Sequence, residues 1–217
     1  MNLENNKDIE SISVENLSYS YNDVKVFENL SIYIKSNEIV CMTGENGTGK
    51  STLFNLLLGV LGEYKGKILI NEDIDIKLLK REELLKIIGY CPQKPIIFND
   101  TIKNNISMDK NLDEYLLREY IDSLKFMEDK EDNNLNMFLE NSNCLSQGQT
   151  QKLNIIRALS TEKPILLFDE PTASLDNNSK ELFFELIRKL KKNKIILIIS
   201  HDDFIIKNSD TIIQLNG

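Results

Sequence analysis

The chain has 217 residues, 41% hydrophobic and 28% charged, with a net charge of −8. That length accommodates one domain with a substantial apolar interior, and the acidic balance argues against a nucleic-acid partner, whose phosphates favour an excess of Lys and Arg. No apolar run approaches the roughly 20 residues needed to cross a bilayer.

The leader MNLENNKDIES is polar and acidic, without the basic-then-apolar order of a secretory signal. Together with Met1 it favours a separate subunit over an excised domain. Cys41, Cys91 and Cys144 are scattered, with no CxxC pair, and suit reduced thiols in a cytosolic protein.

Along the chain, short β-type runs come first, at Ser11–Tyr19, Leu30–Ile34 and Ile39–Thr43. A helical pattern covers Lys50–Leu61, with Gly62 as its expected stop. Lys67–Ile70 reads as a strand, Arg81–Ile87 as a helix and Ile87–Cys91 as another strand. From Thr101 to about Leu159 the patterns are helical, notably Asp113–Met127, with a polar interruption at Glu128–Asn134. Alternation then resumes: strand Ile165–Phe168, helix Ser179–Lys192, strands Ile195–Ser200 and Thr211–Leu215. Strands that are apolar throughout and alternate with helices predict an α/β fold, a mostly parallel sheet covered on both faces. The expected organisation is a single domain over 1–217, with a core of about 1–92 and 160–217 and an inserted helical subdomain of about 93–159.

The segment GENGTGKST (Gly44–Thr52) follows an apolar strand and opens an amphipathic helix. In that context G-x-x-x-x-G-K-[ST] is a phosphate-binding loop. Backbone N–H groups of Gly44, Glu45, Asn46, Gly47, Thr48 and Gly49 can turn around phosphate oxygens, aided by the helix dipole. Lys50 can reach the β- and γ-phosphates, the Ser51 hydroxyl can ligate Mg²⁺, and Thr52 completes the motif. A second anchor is ILLFDEP (Ile165–Pro171), whose strand delivers Asp169 and Glu170 at its C-terminal edge, where ligands bind in open α/β sheets. Asp169 suits Mg²⁺ through its water shell, and Glu170 can polarise an attacking water. The only histidine, His201, ends the apolar run ILIIS.

With these anchors placed, CLSQGQTQKLNIIRAL (Cys144–Leu159) resembles the signature segment of ATP-binding cassette (ABC) ATPases, usually L-S-G-G-Q. Gln93 in YCPQKP matches the family's Q-loop, ASLD (Ala173–Asp176) its D-loop, Tyr21 in SYSYND its adenine-stacking aromatic, and His201 its H-loop. The resemblance spans about Ser11 to Leu215. It implies a P-loop NTPase of the RecA-like type, with an N-terminal antiparallel β part added to the parallel core. It also implies ATP and Mg²⁺ as cofactors and a head-to-tail dimer with a second ABC ATPase domain. In that dimer Gly44, Lys50, Gln93, Glu170 and His201 act in cis, with Ser51, Gln93 and Asp169 at the metal, while Ser146, Gly148 and Gln149 meet the partner's nucleotide; Asp176 of the D-loop also belongs to the nucleotide-binding set.

The run PIIFNDTIKNNI (Pro95–Ile106) and Glu140, five residues before Leu145, are similar to exporter-type domains, although Ser142 stands where that type has glycine. The resemblance thus implies MgATP hydrolysis that drives export through a transmembrane permease, at the inner face of the cell membrane. Two alternatives stay open: a soluble, non-transport ABC ATPase and a catalytically weak regulatory partner. Gln147 in the signature, and Thr150 and Lys152 where arginine is usual, bear on the second.

Overall fold

The computed structural model describes residues 9–108, 112–128, 134–140 and 145–216. Met1 with most of the polar leader, Ser142, Cys144 and most of the polar stretch after Glu128 lie outside them. Two strands open the fold, β1 (Ser11–Tyr21) and β2 (Val24–Lys35), followed by β3 (Glu38–Thr43) and helix α1 (Lys50–Leu57). Next come β4 (Lys65–Ile70), β5 (Ile74–Asp75), a single 3₁₀ turn, α2 (Arg81–Ile87) and β6 (Ile88–Cys91). The middle holds β7 (Asp100–Thr101), α3 (Ile102–Ser107), α4 (Glu114–Ser123), β8 (Phe138–Leu139) and α5 (Gln147–Leu159). The chain closes with β9 (Ile165–Asp169), α6 (Asn177–Leu190), β10 (Ile195–Ile199), α7 (Asp203–Asn208) and β11 (Thr211–Gln214).

Two main sheets result. One is antiparallel, in the order β2-β1-β4-β5; the other is five-stranded in the order β11-β3-β10-β9-β6, and all its pairings are parallel. The α/β expectation and the antiparallel N-terminal part hold. The parallel strands β9 and β10 are buried at every residue, as strands covered on both faces must be. One face packs under α1 and the antiparallel sheet, with Val40, Met42, Leu53, Leu167 and Leu197 fully buried. The other packs under α5 and α6, and its core runs without interruption from Phe168 and Ile198 to Ile106 and Leu117 on the middle helices.

Several element boundaries differ from the sequence reading, β2 among them, which runs Val24–Lys35 where the sequence reads Leu30–Ile34, and three differences have a clear local cause. Helix α1 stops at Leu57 rather than running to Leu61, because Gly59 (φ 64°) turns into the left-handed region, its N–H bonding Leu56 O, ahead of Gly62. The helix expected over Asp113–Met127 ends at Ser123. Lys125 and Met127 take left-handed backbone (φ 48° and 69°), a bend at which Leu124, Phe126 and Met127 are all buried. The third difference is a short antiparallel ladder, Asp100↔Leu139 and Thr101↔Phe138, inside the stretch read as helical. Two-residue strands carry too little alternation to show in a sequence.

Candidate nucleotide-binding site

The parallel sheet delivers the site at the C-terminal ends of its strands. β3 runs into the glycine-rich loop, β9 ends on Asp169, and β10 ends two residues before His201. The chain between β3 and α1 wraps so that the Lys50 ammonium donates to Gly44 O (2.7 Å) and Glu45 O (2.8 Å), while the Thr48 hydroxyl donates to Glu45 O (3.0 Å). Gly49 caps α1 with φ 93°, and a Cβ there would sit 2.5 Å from the Phe27 ring, so only glycine fits. No acidic residue in the first turn of α1 neutralises the positive end of its dipole.

These elements enclose a cleft of about 380 Å³ lined by Tyr21, Val26, Asn46, Gly47, Gly49, Lys50, Ser51, Thr52, Gln93, Asp169, Glu170, Ile199 and His201. Eleven of these residues were singled out in the sequence. Val26 and Ile199 were not, since an apolar wall residue in a strand looks like any other core position. Gly44, Glu45 and Thr48 are not part of that lining and shape the loop through the lysine and threonine bonds.

Tyr21 ends β1 at a two-residue hairpin: it pairs with Val24 across Asn22 and Asp23, whose positive φ values (42° and 70°) make a type I′ turn. Its ring is 42% exposed and stands edge-on to Tyr19, with centroids 5.0 Å apart. Tyr21 is thus a partly exposed aromatic at the wall of the cleft.

The carboxylates are tuned by position. Burial pushes the Asp169 carboxyl up, against the pull of the Ser51 hydroxyl bonded to it and of the Lys50 ammonium. Burial also pushes Glu170 up, opposed by the His201 ring, its backbone N–H and Lys50, and helped by the neighbouring Asp169 charge. Glu170 has left-handed backbone (φ 48°), unusual for a non-glycine residue, held by Glu170 N–H to Ile199 O (2.9 Å) and by the turn that follows, around buried Thr172. Nothing in the sequence signals that conformation.

The Ser51 hydroxyl, Asp169 carboxylate and Gln93 carboxamide offer hard oxygen donors beside the phosphate loop. Among the described residues no group of three or more His, Cys, Asp or Glu could hold a metal alone. That set fits Mg²⁺, which usually takes one or two protein oxygens and completes its shell with phosphate and water.

The signature residues lie elsewhere. Leu145, Ser146, Gln147, Thr150, Gln151 and Ser174 line a separate groove with Gln93, Lys94 and Pro95. Ser146 and Gln149 form a capping box at the start of α5: Gln149 N–H donates to Ser146 Oγ (3.2 Å) and Ser146 N–H to Gln149 Oε1 (3.1 Å). Gly148 faces Ser174 O, Gln147 is exposed, and Asp176 caps α6 by accepting from Ser179 N–H (2.7 Å). Gln93 alone of the predicted site residues borders both clefts.

Among the described residues no helix is long and apolar enough to cross a membrane. The family profile for "ABC transporter" matches residues 27–173. A Rickettsia prowazekii (strain Madrid E) protein named "Putative export ATP-binding/permease protein" is 37% identical over 98% of this chain. A Francisella tularensis "ATP-dependent lipid A-core flippase" is 30% identical over 95% of it. The chain spans only 38% and 35% of the length of those two relatives. A solved bacterial Atm1-family ABC exporter with ATP bound superposes with a TM-score of 0.88 and 27% identity, over 96% of this chain and 37% of that one. With a phosphate loop, an acidic strand end and a signature helix in one fold, the chain belongs to the ABC transporter family as an ATP-binding domain.

Proposed function

We propose that this domain binds and hydrolyses MgATP in a head-to-tail dimer with a second ABC ATPase domain, and that the cycle drives export through a transmembrane permease at the inner face of the cell membrane. The observation that carries the reading is the convergence of Lys50, Ser51, Gln93, Asp169, Glu170 and His201 on one cleft. The division into a core of about 1–92 and 160–217 and a helical subdomain of about 93–159 belongs to the same proposal. The relatives' names, which join ATP-binding and permease functions, support a membrane partner.

In this reading Tyr21 stacks on the adenine, and the backbone of Gly44–Gly49 with Lys50 holds the phosphates. Ser51, Gln93 and Asp169 hold Mg²⁺, which neutralises phosphate charge. Glu170 accepts a proton from the attacking water, and His201 fixes the geometry of that water and the γ-phosphate. The signature residues Ser146, Gly148 and Gln149 close over the partner's nucleotide, and Asp176 also contacts nucleotide, so one chain alone holds only half of each site. Two measurements test it: ATP hydrolysis by the purified chain, with Glu170→Gln as the inactive control, and co-purification with a multi-helix membrane protein. Absence of ATP hydrolysis in the wild-type chain refutes the enzymatic part, and absence of a membrane partner refutes the export part.

A further inference from the structure

The loop Ala173–Asp176 and the turn bearing His201 lead into two neighbouring helices, each opened by an aspartate. Asp176 Oδ1 accepts from Ser179 N–H (2.7 Å) and caps α6; Asp202 Oδ1 accepts from Phe204 N–H (2.8 Å) and caps α7. The other oxygen of Asp202, Oδ2, meets the ammonium of Lys180, one residue beyond Ser179 in the first turn of α6. Both side chains are largely sheltered, 22% and 19% exposed. One turn along α6, Phe184 packs edge-on against Phe204 (5.9 Å between centroids), so the ion pair lies over an apolar contact that joins the same two helices. The turn itself is pinned from behind, since Asp202 N–H donates to Oγ of fully buried Ser200 (3.1 Å).

His201 lies between these anchors. Its side chain is 48% exposed, with Nε2 3.6 Å from Glu170 Oε1, so the ring depends on the backbone of Ser200 and Asp202 for its place beside that carboxylate. A charge-assisted pair in a sheltered position holds geometry better than one in open water. We infer that Lys180 and Asp202 are positioning residues for His201, tying the turn that carries the imidazole to the helix that begins at Asp176. Movement of the Ala173–Asp176 loop then reaches His201 through one ion pair. The inference rests on the ATPase reading for its consequence, but its structural half stands apart from it.

The test uses Lys180→Met, which keeps the aliphatic stem, Asp202→Asn, which keeps the Oδ1 cap, the double variant, and Lys180→Arg. His201 is the chain's only histidine, so its Hε1 resonance is a single, assignable NMR signal. In the nucleotide-free chain both single variants should shift that signal, and the double variant should shift it no further. In steady-state hydrolysis both singles should lose about fivefold or more in kcat with KM for ATP little changed, the double should match the worse single, and Lys180→Arg should recover most of the loss. An unmoved resonance overturns the inference. So do singles with kcat within about twofold of wild type, or losses that simply multiply in the double, since independent sites add in free energy. A wild-type chain that hydrolyses no ATP refutes the function proposed above, and the NMR arm then decides this one by itself.

Discussion

His201 Nε2 lies 3.6 Å from Glu170 Oε1, the ring half exposed and the carboxylate 17% exposed. The two arrive from different strands: Glu170 follows β9, His201 follows β10, and those strands pair in parallel at Ile199↔Asp169. A water in the cleft can therefore meet a base on one side and an imidazole on the other. Glu170→Gln keeps the shape and removes the proposed base, so turnover should fall by about 10²–10⁴-fold while ATP binding persists. Gel filtration with MgATP should then show an accumulating dimer. A Glu170→Gln chain with wild-type turnover would remove Glu170 from its role.

Lys50 ties the phosphate loop together, besides its proposed part in holding nucleotide. Its ammonium bridges Gly44 O and Glu45 O, and the residue is 8% exposed. Lys50→Ala should abolish calorimetrically detectable MgATP binding. It should also lower the thermal midpoint of the nucleotide-free chain, because two loop carbonyls lose a charged donor. Lys50→Arg should lose binding too, since the longer planar guanidinium does not fit a pocket shaped to a point charge. Unchanged ATP affinity in Lys50→Ala would defeat the site assignment.

The raised carboxylates set a pH dependence of stability. Burial lifts Asp169 above its ordinary 3.8 and Glu170 above its ordinary 4.5, so the folded state disfavours their charged forms. Below the ordinary values both states are protonated and nothing is lost; as pH rises through the folded values, ionisation takes stability away. Nucleotide-free Glu170→Gln should therefore melt above wild type at neutral pH, and the gap should close as pH falls below 4.5. Asp202 runs the other way. Burial works against its charge, but Lys180 and the Phe204 and Ile205 N–H groups overcome it and hold the carboxyl below 3.8. Its contribution is present above 3.8 and fades as pH falls through the lower folded value, so Asp202→Asn should flatten the acid limb of the melting curve. A Glu170→Gln advantage that is constant across pH would show that the charge is not its source.

Much of the site is legible in the sequence because its chemistry is local. Gly44–Thr52, directly after β3, and Ile165–Glu170, which contains β9, each hold their reacting groups within nine residues, and the fold only has to bring two strand ends together. What the sequence does not carry is set by tertiary packing. The early stop of α1 depends on Gly59 turning where Leu84 of α2 crowds it, since a Cβ there would lie 2.9 Å from that side chain. The left-handed backbone of Glu170 is imposed by a hydrogen bond to Ile199, 29 residues on, and the Lys180–Asp202 pair joins residues 22 apart. No window of local pattern contains both partners of such contacts.

The signature departs from the usual pattern at Gln147, and the geometry sorts its two middle positions. Gln147 is the first residue of α5 and exposed, in the groove shared with Gln93 and Ser174. Gly148 is half-buried, and a Cβ on it would meet Ser174 O at 3.3 Å, tighter than most real contacts. Gln147→Gly removes an exposed side chain at a helix start, where glycine costs at most about 1 kcal/mol, so ATP hydrolysis should stay within about threefold of wild type. Gly148→Asp adds bulk against the Ser174 carbonyl and a negative charge where the proposed dimer brings the partner's γ-phosphate. Hydrolysis should fall by about a hundredfold or more, as when an oxyanion donor is lost. Because that loss belongs to the closed dimer, nucleotide affinity of the isolated Gly148→Asp chain, measured by titration, should match wild type. Equal loss of hydrolysis in both variants would mean that Gln147 itself reaches nucleotide. Equal indifference would remove α5 from the site.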